Sequence, residues 1–147
     1  MITPADIAAV YDHVPYAKEL GVDFVEATPG RVLCALRERD GVLNHLGSVH
    51  AGALYMFAET AAGAAVISAL NVMTYVPMVK DGKIDYLRLA RGRLTVEARL
   101  DLETARGYAA TADREGKVFF PYSVEIRDPA GAVCAAATFT YRLRKRS

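Results

Sequence analysis

The chain has little excess charge of either sign. Its 18 Lys and Arg residues nearly balance its 17 Asp and Glu residues, which gives a formal net charge of +1. A nucleic-acid-binding protein needs a broad basic surface, and so balanced a composition does not supply one. The basic cluster near the end of the chain is more typical of a solvated terminus than of a binding site. It consists of Arg142, Arg144, Lys145 and Arg146.

Cysteine is also scarce, with only Cys34 and Cys134 present, both in apolar segments of strand character. No further ligand pattern accompanies them, so the sequence indicates neither a disulfide framework nor a zinc site. We expect two reduced thiols in the core, no metal and no cofactor.

The N-terminal residues lack the basic start and the long apolar stretch of a signal peptide. One segment, residues 51–70, is long enough to cross a bilayer. It is rich in Ala and Gly, carries Glu59 near its middle and has no positively charged flanks. Such a segment is more typical of a helix buried in protein than of a membrane span. We therefore expect a cytoplasmic protein that does not associate with membranes.

A length of 147 residues suits one domain with one core. The patterns predict a helix over residues 4–11, strands over 22–28 and 31–36, and a long apolar helix over 51–70. Segments 75–79 and 83–89 form either a hairpin about Asp81-Gly82 or one bulged strand. Strands over 93–102, 118–127 and 133–143 follow, with a weakly helical segment over 103–113. This order predicts an α+β fold with one antiparallel sheet curved around the long helix.

Glu59 is the one charged residue in the apolar stretch 53–70. A buried carboxylate is costly unless something compensates it. Glu59 is therefore either functional, or paired with a residue such as Arg88 or Arg93, or directed into a solvent channel. The Gly-containing loop before the helix leaves unpaired N–H groups at the positive helix end. Glu59 lies about two turns along from Ala51 and about 80° around the helix, on the same broad side. The pair could bind a carbonyl oxygen and activate a water.

The segment Asn44-x-x-Gly47-x-x-His50-Ala51-Gly52, with an acid seven positions later, resembles the signature of hotdog-fold acyl-CoA thioesterases. The phenylacetate-pathway type and its small relatives are the most similar group. Ala51 stands where that family usually has the first of two glycines, and the acid is Glu rather than the commoner Asp. The resemblance extends from about residue 7 to the final strand. It implies a single hotdog domain over residues 1–147 and favours one long bulged strand at 75–89.

The resemblance also implies roles for site residues. Ala51 would supply the backbone N–H that binds the carbonyl oxygen, and Asn44 would bond the carbonyl or the attacking water. Glu59 would be the general base or a nucleophile that forms a mixed anhydride, ionised at neutral pH if its pKa stays near about 4.3. For Asn44, a turn within its own loop is the alternative. The expected substrate-binding residues are Gly47, His50, Gly52, Arg88 and Arg91, with the arginines near the CoA phosphates.

The implied function is hydrolysis of an acyl-CoA thioester by a homodimer or dimer of dimers, with a pocket built from both chains. Two alternatives stay open. A hotdog dehydratase would pair His45 with Glu59, although Ala53-Leu54-Tyr55 stands where those enzymes have Pro-Gly. A non-catalytic acyl-CoA-binding module on the same fold is the other. The identity of the acyl group does not follow from the sequence.

Overall fold

The computed structural model describes residues 2–147 as one antiparallel sheet with four α-helices. The strands are Val22–Thr28 (β1), Arg31–Leu36 (β2), Tyr75–Tyr86 (β3), Leu94–Arg99 (β4), Lys117–Arg127 (β5) and Val133–Lys145 (β6). The helices are Pro4–Tyr11 (α1), Pro15–Leu20 (α2), Ala51–Ala69 (α3) and Leu102–Glu115 (α4). The six strands lie in the order β1-β2-β4-β5-β6-β3. The predicted α+β class, an antiparallel sheet around a long helix, is confirmed.

Local sequence signals are present at the start of both N-terminal helices. Thr3 caps α1 in a reciprocal capping box with Asp6. The sequence analysis missed α2, although Pro15 at its first position and Gly21 (φ +78°) after its end are ordinary start and stop signals. Six residues are too few to show an apolar period, so packing decides whether such a helix forms.

The central helix α3 packs mainly against β2, β4 and β5 on the inner face of the sheet. Its length and apolarity would also suit a membrane span, but more than half of its residues are buried inside this chain. One stripe stays only half buried, and it contains Met56, Glu59, Gly63 and Ile67. Because these residues are spaced three or four apart, they share one face of the helix.

The third strand is continuous, as the resemblance implied, with a bulge between Val79 and Asp81. Gly82 follows the bulge. A side chain is not tolerated there, because a Cβ would lie 2.7 Å from the Phe139 ring. Among residues 2–147, β3 pairs with β6 alone, so it forms one edge of the sheet. Its outer backbone groups are therefore unpaired and could bond to another strand.

Two strands end earlier than predicted. β3 stops at Tyr86 because the next two backbone N–H groups both turn to the Cys134 carbonyl. β4 stops at Arg99 because Asp101 caps α4 and accepts the Thr104 backbone N–H at 2.8 Å. A capping side chain needs non-helical backbone at its own position, and this separates strand from helix.

The weakly helical segment is in fact α4, which buries Ala105 and Ala112 as it packs against β5 and β6. Cys34 in β2 and Cys134 in β6 are both buried and form no disulfide. This agrees with two reduced core thiols.

Candidate active site

The loop before α3 is held together by Asn44. Its Oδ1 accepts hydrogen bonds from the backbone N–H groups of Leu46 (2.9 Å) and Ser48 (3.2 Å), and its Nδ2 donates to Ser48 Oγ (3.0 Å). These bonds form the local turn that the sequence left open as an alternative. The structure thus gives Asn44 a loop-building role, and its contact with a thioester stays a prediction.

Arg91 braces the same loop from outside. Its Nη1 donates to the Gly47 carbonyl (2.7 Å) and its Nη2 to the Leu46 carbonyl (2.9 Å). Gly47 has φ +68°, which glycine adopts without steric cost. Two nitrogens of Arg91 therefore bind the loop, a contact that the sequence did not predict. Arg88 is exposed, and its side chain forms no hydrogen bond or ion pair with residues 2–147.

The start of α3 leaves the Ala51 and Ala53 backbone donors without a partner among the described residues. His50 is the N-cap, and its Nδ1 accepts the Gly52 N–H at 2.8 Å, while its carbonyl accepts the Leu54 N–H at 3.0 Å. The Ala51 N–H has no partner in the described chain and lies in an exposed position. Tyr86 fixes this residue from the other side by donating its hydroxyl to the Ala51 carbonyl (3.0 Å). The exposed Ala51 thus has an unpaired N–H at the positive end of a 19-residue helix.

Glu59 lies two turns further along α3, half buried and without a hydrogen bond or ion pair to any described residue. The structural alternative, a pair with Arg88 or Arg93, is therefore not what the structure contains. Burial raises the pKa of Glu59 above its ordinary value of 4.5. The sequence predicted an ionised Glu59 on the condition that its pKa stays near the ordinary value. That condition is not met, because partial removal from water disfavours the charged carboxylate.

Two tyrosines that the sequence analysis missed lie beside this acid. Tyr11 of α1 donates its hydroxyl to the Thr60 carbonyl at 3.0 Å. A Cβ on Gly63 would lie 2.6 Å from the Tyr11 hydroxyl and 3.7 Å from that of Tyr141 on β6. The sequence feature that could have indicated this close approach is Gly63, a helix-weakening residue inside an Ala-rich helix, four positions after Glu59.

Two grooves approach the site. One, of about 400 Å³, lies between α1 and β1 and is lined by Ala8, Tyr11, Phe24 and Thr60, among others. The other, of about 490 Å³, runs beside the start of α3 and has Tyr16, Arg39, His50 and Gly52 in its wall. Glu59 lines neither groove directly. The first reaches the residue that follows the acid, and the second reaches the helix start.

The chain matches known proteins over almost its whole length. The model of the DUF4442 family, described as a domain of unknown function, matches residues 7–143. A Pseudomonas aeruginosa protein, PA5026, described as of unknown function and as a probable thioesterase, is 30% identical with a TM-score of 0.90. The match covers 99% of each chain. This chain is a DUF4442 member of the hotdog-fold thioesterase superfamily.

Other solved structures share the fold of this DUF4442 protein at lower identity. The Escherichia coli PaaI protein of the phenylacetic acid degradation operon is 22% identical, with a TM-score of 0.70 over 95% of this chain and 90% of that one. A Staphylococcus aureus thioesterase, SAV0944, is 16% identical with a TM-score of 0.71 over 88% and 98%. At these identities the two structures support the fold alone. The description of PA5026 as a probable thioesterase supports thioester hydrolysis as the class of activity.

The fold brings most of the predicted site residues of this DUF4442 protein to one place. These residues lie at the junction of the loop and α3, and they are Asn44, Gly47, His50, Ala51, Gly52 and Arg91. Glu59 lies on the same helix, while Arg88 makes no bond to this loop. Residues 2–147 contain no group of three or more His, Cys, Asp or Glu side chains that could hold a metal ion.

Proposed function

We propose that this DUF4442 protein hydrolyses acyl-CoA thioesters to the free acid and CoA. The observation that carries the proposal is a pair of unsatisfied groups on one helix. The Ala51 N–H has no partner at the positive helix end, and Glu59 is half buried without a counter-charge. An oxyanion donor and a proton acceptor are what acyl transfer to water requires.

In the proposed reaction the thioester carbonyl oxygen accepts the Ala51 N–H, where the helix dipole adds about half a positive charge. Glu59 then takes a proton from water as the water oxygen attacks the carbonyl carbon. The tetrahedral intermediate expels the CoA thiolate, which takes up a proton. In the alternative route the carboxylate attacks directly, expels the thiolate and forms a mixed anhydride that water hydrolyses. Within one chain the rise between the two residues is about 12 Å, which is more than a glutamate side chain spans. The Ala51 N–H and the Glu59 carboxylate of one site would therefore come from two copies of the chain.

A second copy of the chain is part of the proposal. The outer edge of β3 is unpaired, and the half-buried face of α3 that bears Glu59 also exposes parts of Met56 and Ile67. Pairing two β3 edges would satisfy the open backbone groups, and it would bring the second chain close to this helix face. As the family resemblance implies, the pocket would then contain residues of both chains.

The groove between α1 and β1 is the proposed site for the acyl group. Its floor includes Thr60, the residue after the proposed acid, and its walls include Ala8 and Phe24. A volume of about 400 Å³ lies within the range of small-molecule pockets. The groove beside the helix start, lined by His50 and Arg39, would hold the thiol-bearing arm.

The deciding experiment is thiol release from short, long and aromatic acyl-CoA substrates by the wild-type protein and Glu59→Gln. We expect the substitution to lower turnover by about 100-fold or more, because it removes the general base or nucleophile. Glu103→Gln, on the first turn of α4, is the matched control and should keep wild-type rates. Equal rates in wild type and Glu59→Gln would reject the role of the acid.

The same assay separates the other functions. A dehydratase would form an unsaturated product from a hydroxyacyl thioester without releasing thiol. His45, its required partner for Glu59, is exposed on the loop and makes no hydrogen bond to the acid. A binding module would retain acyl-CoA without turnover of any substrate in the panel.

A further inference from the structure

The small volume left by Gly63 on α3 is occupied by the Tyr11 hydroxyl, and the Tyr141 hydroxyl lies at ordinary contact distance from it. A side chain at this position would displace the Tyr11 hydroxyl, 2.6 Å from a Cβ there, and would contact the Tyr141 hydroxyl at 3.7 Å. Gly63 is one turn beyond Glu59 on the same helix face. The absence of a side chain therefore lets the Tyr11 phenol approach the region of the acid, and the Tyr141 hydroxyl lies beside the same position.

The two hydroxyls differ in how they are satisfied. The Tyr11 hydroxyl donates to the Thr60 carbonyl. The Tyr141 hydroxyl is buried and has no hydrogen-bond partner among the described residues. Glu59 likewise accepts no hydrogen bond within residues 2–147. A buried donor without an acceptor thus lies one helical turn from a half-buried acceptor without a donor.

Each of these groups is costly alone. An unsatisfied buried hydroxyl keeps its full desolvation penalty, and a partly desolvated carboxylate without a donor resists ionisation. A hydrogen bond from a neutral donor to a carboxylate is stronger than one between neutral groups. One contact would therefore relieve both groups.

We propose that Tyr141 is a positioning residue that donates its hydroxyl to the ionised Glu59 carboxylate, either after rotation of the glutamate side chain or through one water. The bond orients the acid toward the substrate and keeps it ionised at neutral pH. This inference rests on the proposed function of Glu59.

The hydroxyl of Thr60 is also buried without a partner among the described residues, but Thr60 is the next residue on α3 and so points about 100° away from Glu59. Tyr11 from α1 and Tyr141 from β6 are the titratable side chains whose pKa the Glu59 charge raises, after the larger effect of burial. Both hydroxyls therefore stay protonated, and hence donors, through the neutral range. Cys34 of β2 lies behind Tyr11, and no charged side chain of the described residues perturbs the pKa of Glu59.

Tyr141→Phe tests the proposal, because it removes the hydroxyl and leaves the ring stacked on Phe120. We expect the pKa of Glu59 to rise by about one unit, since a hydrogen bond to a charged group contributes at least that much. The acid limb of the kcat/KM profile should shift upward by the same amount, and the melting temperature should not fall.

Tyr122→Phe is the matched control. Tyr122 is buried and lies edge-on to Tyr141, with ring centroids 6.3 Å apart. Burial raises the pKa of its hydroxyl, and Glu59 does not contribute to that rise. Its substitution should leave the acid limb in place.

Two measurements keep this inference separate from the proposed function. The pKa of Glu59 is read directly by carbon NMR of carboxyl-labelled glutamate, with Glu59→Gln assigning the signal, and this needs no turnover. An unchanged Glu59 pKa in Tyr141→Phe would overturn the inference even if the wild type hydrolyses acyl-CoA. A purely structural role for Tyr141 would lower the melting temperature without moving the pKa, and that result would also overturn it. A shift confined to Tyr141→Phe supports it.

Discussion

The sharpest test of the proposed oxyanion donor is Ala51→Pro, because proline removes one backbone N–H and little else. Ala51 is the first residue of α3, where proline is favoured and the N–H has no partner within the helix. The preceding residue, His50, has φ −61° and ψ 142°, the extended conformation that a following proline requires. The helix should therefore form as in the wild type.

The expected effect follows from the bond that is lost. Removing one oxyanion donor from an enzyme costs about 3 kcal/mol of transition-state stabilisation, which lowers kcat by about 100- to 1000-fold. Stability should change little, because no hydrogen bond of the folded chain is broken. Proline also reduces the entropy of the unfolded chain, an effect of about 0.4–1 kcal/mol in favour of folding.

The assay is thiol release with the acyl-CoA that the wild type turns over best, together with thermal unfolding followed by circular dichroism. Leu102→Pro is the matched control, since Leu102 begins α4 and its N-cap, Asp101, has φ −56° and ψ 133°. It likewise removes the backbone N–H of a first helical residue, at a helix start away from the proposed site. A folded Ala51→Pro protein with kcat within about threefold of wild type would refute the role of this N–H.

Two further predictions concern the acid and the assembly. Because burial raises the folded-state pKa of Glu59 above 4.5, the folded protein holds that proton more tightly than the unfolded chain, and stability is lost as pH rises through the window above 4.5. Glu59→Gln should therefore melt at a higher temperature than wild type at pH 8 but not at pH 4, and an equal gain at both would contradict this reasoning. Light scattering should give a mass of at least twice 15.9 kDa. If each site takes Ala51 from one chain and Glu59 from the other, refolding Ala51→Pro together with Glu59→Gln should restore part of the activity, whereas no recovery would place both groups in one chain.

Local patterns predicted most of the elements. The first helix, the hairpin of β1 and β2 and the apolar helix α3 follow from capping, turn and hydropathy signals that act over a few residues. The strand and helix ends that differ from the prediction depend on contacts between distant parts of the chain. Tyr86 ends β3 because the following N–H groups reach a carbonyl on β6. Such contacts join positions far apart in the chain, and no local pattern contains them.

In the candidate site, too, some features could be predicted from the local sequence and others depend on the folded structure. The motif before α3 and the single acid inside it are visible in the sequence, because a charge in an apolar stretch and a Gly-containing helix start are unusual by themselves. The engagement of Asn44 within its own loop and the bracing of that loop by Arg91 were not visible, since both depend on side-chain geometry.

By itself, the sequence determined that an acid lies in the central helix two turns from its start. The spacing of residues on a helix is fixed by its backbone geometry. Only the tertiary structure decided what surrounds that acid. Burial beside the sheet raised the pKa of Glu59, and folding brought Tyr11 and Tyr141 from opposite ends of the chain to Gly63. Desolvation and hydrogen bonding depend on neighbours in space, so they exist only once the chain has folded.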